Sequence, residues 1–187
     1  MERKVFVLFH PFDSDKGDKL TEINARLLTL GENIEIVDAT DDELLQDDRM
    51  ICAITGLTSG ELDRLSVPDY NSLHAYLFDQ RTQGTAEFLG KELDPDKPDL
   101  LQPITANGGQ AVESINLQVP SLKSVRLRDK VKGGDIDRAL WMTSHCTGLG
   151  VSDLRGLCMP DWMQLQKRLG DFLLQPAGYF QSGTSDT

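Results

Sequence analysis

The chain has 187 residues, with 30 Asp or Glu against 19 Lys or Arg, and its formal net charge of -11 argues against binding to nucleic acid or an anionic membrane. The length suits one large domain or two small ones, and no apolar run approaches the roughly 20 residues that a membrane span needs. The three cysteines have no framework spacing and the N-terminal residues lack a signal-peptide pattern, so we expect a protein of a reducing cytoplasm.

The first half of the chain predicts a β-hairpin followed by helices. Val5–Phe9 is an apolar run, a turn signal surrounds Gly17, and alternating apolar positions then indicate a half-buried strand at Ile23, Ala25 and Leu27. Because an isolated hairpin is marginal in water, helices must cover it. The stretch with Gly31 and Ile34–Val37 favours a strand or loop.

Three helices are predicted next in this half. One covers Asp41–Ile54, with an N-cap signal at Thr40 or Asp41 and Gly56 as the C-cap candidate. A short one carries two leucines, and the last begins near Pro68, since proline is tolerated in a first helical turn. Apolar residues at i, i+3 and i+7 give this last helix an amphipathic face: Tyr70, Leu73 and Leu77.

The second half predicts the same order of elements. A strand around Leu100–Ile104 leads into the turn Asn107–Gly109, and a strand follows at Ile115, Leu117 and Val119. Helices are predicted within Ser121–Val131, over Asp135–Cys146, at Leu154 and Leu157, and from Pro160 onward, with Gly148 as a C-cap. Gln80–Asp99 reads as a linker, and Pro176–Thr187 as a disordered tail.

This similarity of order reflects a repeat in the sequence. Thr55-Gly56-Leu57 recurs as Thr147-Gly148-Leu149, and Pro68-Asp69 recurs as Pro160-Asp161, both 92 positions later. At this shift, 17 of 72 aligned positions are identical, against roughly 5 expected by chance. We therefore predict an internal duplication and an α+β fold, with two similar units that each consist of a β-hairpin followed by about three short α-helices. The predicted boundaries are 1–80 for the first unit, 81–98 for the linker, 99–175 for the second unit and 176–187 for the tail.

No residue pattern predicts catalysis, a cofactor or a metal site. The acidic turn before Asn24 lacks the distal Glu of a calcium loop, since Asn24 stands in that position. His145-Cys146 and Cys158 lack the paired spacing of a zinc site. None of the three histidines recurs in the other unit, and no nucleophilic triad can be assembled from the motifs present.

Two charged segments are candidate partner-binding surfaces, with solvated helix faces as the alternative. We define the acidic run as Asp38, Asp41, Asp42, Glu43, Asp47 and Asp48, and the basic cluster as Lys123, Arg126, Arg128, Lys130 and Lys132. At the 92-residue shift, the acidic segment 32–48 lies over residues 124–140, which contain most of the basic cluster, and Asp38 falls on Lys130. We therefore predict that the two surfaces meet, within the chain or head-to-tail in a homo-oligomer. Tyr70 and Trp162 are either core residues or further partner-binding candidates.

The second unit resembles the phage tail assembly chaperones of the tail protein E and Mu-like prophage type. The resemblance covers about residues 99–174. It begins with Leu101-x-Pro103-Ile104, Asn107-Gly108 and Ile115-x-Leu117-x-x-Pro120, and continues with Thr147-Gly148-Leu149, Asp153-x-x-x-Leu157, Pro160-Asp161-Trp162 and Leu165 to Phe172. Members of this family usually carry one such unit, so two in tandem is a departure.

The resemblance implies a non-enzymatic phage or prophage protein without cofactors. Chaperones of this family bind the tape measure protein in the cytoplasm of the host bacterium, keep that long helical chain soluble, and help to recruit tail tube subunits. The alternative is an acidic interaction or inhibitor protein, such as a nucleic-acid mimic, that binds through the acidic run. Neither function involves a membrane or direct binding to nucleic acid.

Overall fold

The structure, a computed structural model, describes residues 3–181 and has an α+β architecture of two antiparallel hairpins, each followed by several helices. The elements of the first half are β1 (Lys4–Asp13), β2 (Lys19–Ala25), α1 (Leu30–Asp38), α2 (Glu43–Thr55), α3 (Ser59–Leu62), α4 (Val67–Thr82) and α5 (Thr85–Leu89). Those of the second half are β3 (Asp99–Thr105), β4 (Ala111–Ser114), α6 (Leu122–Arg128), α7 (Asp135–Thr147), α8 (Val151–Arg155), α9 (Met159–Leu174) and α10 (Ala177–Gln181). The predicted fold class is confirmed.

The two hairpins are separate two-stranded sheets. Lys4 lies opposite Ala25 in the first sheet, and Asp99 lies opposite Ser114 in the second, with a register irregularity inside each ladder. The turn glycine of the first hairpin, Gly17, has a φ of 86°, a left-handed conformation that favours glycine.

The predicted helix ends are largely confirmed. Gly56 and Gly148 terminate α2 and α7 in the left-handed conformation, with φ values of 77° and 74°. The N-cap of α2 is Asp42, one residue beyond the predicted position, and its carboxylate accepts hydrogen bonds from the N–H groups of Leu44 and Leu45. Pro68 and Pro160 lie in the first turns of α4 and α9, as predicted.

The stretch after β2 is a helix, and the predicted strand or loop there was wrong. Thr29 accepts a hydrogen bond from the Glu32 N–H, and the Glu32 carboxylate accepts one from the Thr29 N–H, so a complete capping box starts α1. Leu30 and Ile34 then bury one face of the helix. Capping and burial together outweigh the low helix propensity of the β-branched residues that follow.

Three further predictions need correction. The regular ladder of the second hairpin ends at Ser114 instead of continuing through the predicted strand. The partner strand is preceded by Pro98, which has no N–H to donate. Ile115 and Leu117 lie beyond the end of the ladder and are buried. The predicted linker contains helix α5, in which Thr85 is buried. The predicted tail begins with helix α10 instead of disorder, and residues 182–187 lie outside the described part of the chain.

Corresponding positions of the two halves make corresponding contacts. The Arg26 N–H donates to the Ile54 carbonyl at 2.9 Å, and the Gln118 N–H donates to the Cys146 carbonyl at 2.8 Å. Each hairpin is thereby attached to the C-terminal end of the following long helix. The proposed duplication and its domain boundaries remain predictions from the sequence.

The two halves share one hydrophobic core. Its buried side chains come from both hairpins and from the long helices of both halves, including Leu28, Met50, Leu77, Leu157 and Leu165. The halves are joined by an extended backbone contact between residues 28–30 and 157–159 and by packing of α4 and α5 against α9. The two halves therefore bury apolar side chains against each other.

Candidate protein-binding surfaces

Two aspartates at the start of the last long helix in each half position the hairpins. Asp69 accepts hydrogen bonds from the N–H groups of Phe9 at 2.7 Å and His10 at 3.1 Å. Asp161 accepts corresponding bonds from Leu101 at 2.8 Å and Gln102 at 3.2 Å. Both carboxylates thus attach a strand to the start of a helix.

The surroundings of these two carboxylates differ. Both are buried, but Asp161 also accepts hydrogen bonds from the Thr85 hydroxyl at 2.6 Å and the Cys158 thiol at 3.0 Å. Asp69 has Ser66 as its further donor, at 2.6 Å. Burial acts to raise the pKa of Asp69, but the Ser66 hydroxyl and the two strand N–H groups lower it below its ordinary value. Asp161 therefore connects the two halves through Thr85, whereas Asp69 binds only within its own half.

Three of the six residues of the acidic run are engaged in structural contacts. Asp42 caps α2, Asp47 binds Arg81 at 2.9 Å and His74 at 3.1 Å, and the Tyr70 hydroxyl donates to Asp48 at 2.9 Å. The other three, Asp38, Asp41 and Glu43, are exposed, and within the described chain their carboxylates have no hydrogen-bond or ion-pair partner. Only half of the acidic run is therefore free for a partner.

The basic cluster lies on α6 and in the loop after it. Lys123, Arg126 and Lys130 are exposed, whereas Arg128 is half-buried and binds Asp129 at 2.7 Å. Between residues 3 and 181, no ion pair joins the basic cluster to the acidic run. The ion pair between the halves is instead that of Arg155 with Glu35, at 3.9 Å. The opposite-charge surfaces therefore do not join the halves within the chain, and their contact between chains remains a prediction.

The two aromatic candidates are placed differently. Trp162 is 4% exposed and lies in the shared core. Tyr70 is partly buried, and burial together with the hydrogen bond to Asp48 raises its pKa to about 12. Neither ring offers a large exposed surface, and their role in partner binding remains a prediction.

A groove between α6, α7 and α9 was not predicted from the sequence. Its volume is about 490 Å³. Ala139, Met142, Leu169, Gly170 and Leu173 form its apolar part. Two ion pairs lie at its rim, Arg128 with Asp129 and Arg138 with Asp135. We call this feature the α7–α9 groove. The available signal in the sequence was Gly170, a glycine on an otherwise amphipathic helix, where an added Cβ would meet no atom within 4 Å.

The outer face of the first hairpin is a second apolar surface that the sequence analysis missed. The side chains of Val7 and Phe9 are 80% and 79% exposed, and Val5 is half-exposed on the same face. Alternation within β1 directs these residues outward while Leu8 enters the core. The signal was the continuous apolar run Val5–Phe9, which has more apolar residues than one buried face requires.

Two of the three cysteine thiols are buried in the core. Cys146 and Cys158 are buried, and burial raises the pKa of both thiols above the ordinary value. No group of three or more His, Cys, Asp or Glu residues suited to hold a metal ion occurs within residues 3–181. In the same range, none of the helices is long and apolar enough to cross a membrane.

Comparison with known proteins gives one family. Residues 97–174 match the family described as phage tail assembly chaperone proteins, E, or 41 or 14. No significant match was found among curated proteins or among solved structures. The matched residues run from just before β3 to the end of α9 and contain the whole α7–α9 groove. Residues 97–174 of this chain are therefore similar to the phage tail assembly chaperone family, and this similarity supports a role in tail assembly.

Proposed function

We propose that this protein is a tail assembly chaperone that binds the tape measure protein in the cytoplasm of the host bacterium and catalyses no reaction. The observation that carries the proposal is the family match over residues 97–174. Recruitment of the tail tube protein is part of the same proposal, and we assign no surface to it.

The α7–α9 groove suits one face of an amphipathic helix. An apolar floor with polar residues at the rim is the arrangement that helix-binding grooves use, because the floor buries the apolar face while the rim contacts polar side chains. Leu173 and Gly170 are half-buried, so part of the floor is open to a partner. The two rim ion pairs leave the groove close to neutral, which suits a helix that binds through apolar contacts.

The engagement of reactive side chains supports a non-catalytic role. The Cys158 thiol and the Asp161 carboxylate are hydrogen-bonded to each other, and Asp161 also binds the second hairpin. The same kind of observation weakens the nucleic-acid mimic, since Asp42, Asp47 and Asp48 are hydrogen-bonded within the chain. A mimic requires a dense array of available acidic groups.

Substitutions at Gly170 test the groove. Gly170→Trp would place an indole in the groove, and its Cβ would meet no atom within 4 Å. Gly170→Ala is the matched control, since a methyl group leaves the groove open. The assay is co-expression with the tape measure protein of the same phage, with the soluble fraction of that protein measured. We expect the wild type and Gly170→Ala to keep it soluble, and Gly170→Trp to reduce the soluble fraction at least about tenfold, the loss of a well-buried anchor.

The exposed face of the first hairpin is the alternative binding surface for the tape measure protein. If a Val7→Asp, Phe9→Asp double variant loses solubilisation while Gly170→Trp retains it, the partner binds the hairpin and the groove assignment is wrong. If the wild type itself does not solubilise the tape measure protein, the proposed function is wrong.

A further inference from the structure

The contact that joins the two halves uses one segment from each. The Leu30 N–H donates to the Leu157 carbonyl, and the Met159 N–H donates to the Leu28 carbonyl, both at 2.8 Å. The side chains of Leu30 and Met159 are 1% and 5% exposed. Each segment donates one of these bonds and accepts the other; as labels, we call residues 28–30, which contain the Leu30 donor, the donor segment and residues 157–159, which contain the Leu157 acceptor, the acceptor segment.

Each segment has a counterpart 92 positions away that makes no such contact. Residues 120–122 correspond to the donor segment, and residues 65–67 correspond to the acceptor segment. Within residues 3–181, the four backbone groups that would form the same two hydrogen bonds have no partner: the N–H groups of Leu122 and Val67 and the carbonyls of Leu65 and Pro120. Leu122 is 65% exposed and Val67 is 71% exposed. One pair of equivalent segments thus forms the joint between the halves, and the other pair, residues 120–122 and 65–67, remains an open joint.

We propose that a second copy of this chain fills the open joint, with its residues 65–67 docked on residues 120–122 of the first copy. A second copy is the expected partner because the proposed contact between copies repeats the contact that residues 28–30 and 157–159 already make within the chain. Docking would satisfy the four open backbone groups and bury Leu122 and Val67, as Leu30 and Met159 are buried within the chain.

A groove beside residues 120–122 has room for this contact. Its volume is about 470 Å³, and its lining includes Pro120, Leu122, Val125, Phe172 and Leu174. Most of the lining is apolar, which suits Val67 of a second copy. At the occupied joint, Met159 holds the position that corresponds to Val67.

The charges at the open joint are complementary. At the occupied joint Gly31 lies against Arg155, where an added Cβ would stand 3.1 Å from the Arg155 carbonyl oxygen. The corresponding residues at the open joint are Lys123 and Asp63, which carry opposite charges. An ion pair between Lys123 of one copy and Asp63 of the next is therefore part of the proposed contact.

This arrangement is heterologous. Each copy has one open donor surface and one open acceptor surface, and these surfaces differ. Repetition therefore produces a closed ring or an open chain of copies, depending on the rotation between neighbours. The proposal concerns self-association and does not depend on the tape measure protein.

Two aspartate substitutions separate the surfaces. Val67→Asp introduces a charge within residues 65–67, and Val119→Asp introduces one beside residues 120–122, at a residue that is 70% exposed. Both side chains are exposed in the single chain, so we expect the fold to be preserved, which circular dichroism and the melting temperature would check. Leu44→Asp, at an exposed leucine on α2, is the matched control.

Sedimentation velocity of the full chain at increasing concentration measures the outcome. We expect the wild type and Leu44→Asp to form species larger than a dimer, and each valine variant alone to associate at least about tenfold more weakly, the effect of losing one buried aliphatic contact. An equimolar mixture of the two variants should form a dimer and stop there, since one intact donor surface meets one intact acceptor surface.

Three results would overturn the proposal. The first is a wild-type chain that remains monomeric up to about 1 mM, a concentration at which a contact worth only about 4 kcal/mol would be half-formed. The second is self-association that neither valine variant weakens. The third is a mixture that behaves as the sum of its components, because complementary open surfaces require the mixed dimer.

Discussion

Substitution of Asp161 by Ala tests the role of the buried carboxylate. Its oxygens accept hydrogen bonds from the N–H groups of Leu101 and Gln102 and from the side chains of Thr85 and Cys158. Thr85 is 1% exposed, so water cannot replace the lost acceptor there. Asp69→Ala is the natural comparison, because Asp69 makes the corresponding bonds to an exposed strand.

The expected cost follows from the number of donors left without an acceptor. A buried polar group without a partner costs about 1–3 kcal/mol, and the Asp161 site leaves at least two such donors, so we expect a loss of about 3–5 kcal/mol. At Asp69, water reaches the strand once the carboxylate is removed, and we expect about 1–2 kcal/mol. Asp161→Asn retains one acceptor oxygen, so its loss of stability should lie between those of Asp161→Ala and Asp69→Ala.

Urea denaturation, followed by tryptophan fluorescence, gives the free energy of unfolding for each variant. Similar slopes for the variants would show that the folded and unfolded states are comparable. Equal losses for Asp161→Ala and Asp69→Ala, or a loss below about 1 kcal/mol for Asp161→Ala, would refute the assignment of Asp161 as a buried connection between the halves.

Two further predictions concern stability. Gly148→Ala should destabilise the chain by about 1 kcal/mol, because Gly148 has a φ of 74°. Gly170→Ala within α9 should stabilise it by about 0.5–1 kcal/mol, because an added Cβ there meets no atom within 4 Å. The melting temperatures of the two variants should therefore shift in opposite directions. Hydrogen bonds from the N–H groups of Asp15 and Thr58 lower the pKa of Glu61, so its contribution to stability is present above the ordinary pKa of about 4.3 and is lost as the pH falls through the lower folded value. Glu61→Gln should therefore reduce the fall in melting temperature between neutral and acidic pH, and an unchanged fall would contradict the reasoning.

The order of elements could be predicted because its signals are local. Gly56, Gly148, Pro68 and Pro160 end or begin helices through their own backbone restrictions, which depend little on distant residues. Helix α1 was missed because its β-branched residues suggested a strand, while its stability comes from the capping box and from burial against the core. Local propensity is a weak guide where tertiary contacts decide.

The candidate surfaces were harder to predict. The α7–α9 groove requires three helices to pack around a glycine, and the sequence does not specify their relative positions. The acidic run is visible in the sequence as a group of charges, but the hydrogen bonds that three of its members make within the chain depend on the fold. The recurrence of Asp69 and Asp161 was the strongest available signal, because the same residue at the same place in both halves suggested a shared structural use.

The attachment of each strand to a distant aspartate affects the order in which the chain can fold during synthesis. Leu101 must wait for Asp161, 60 residues later, and at about 5–20 residues per second a ribosome needs roughly 3–12 s to supply it. Leu28 and Leu30 wait longer still, since their partners at 157–159 follow more than a hundred residues later. During that interval the first half exposes an apolar segment that the second half covers only afterwards.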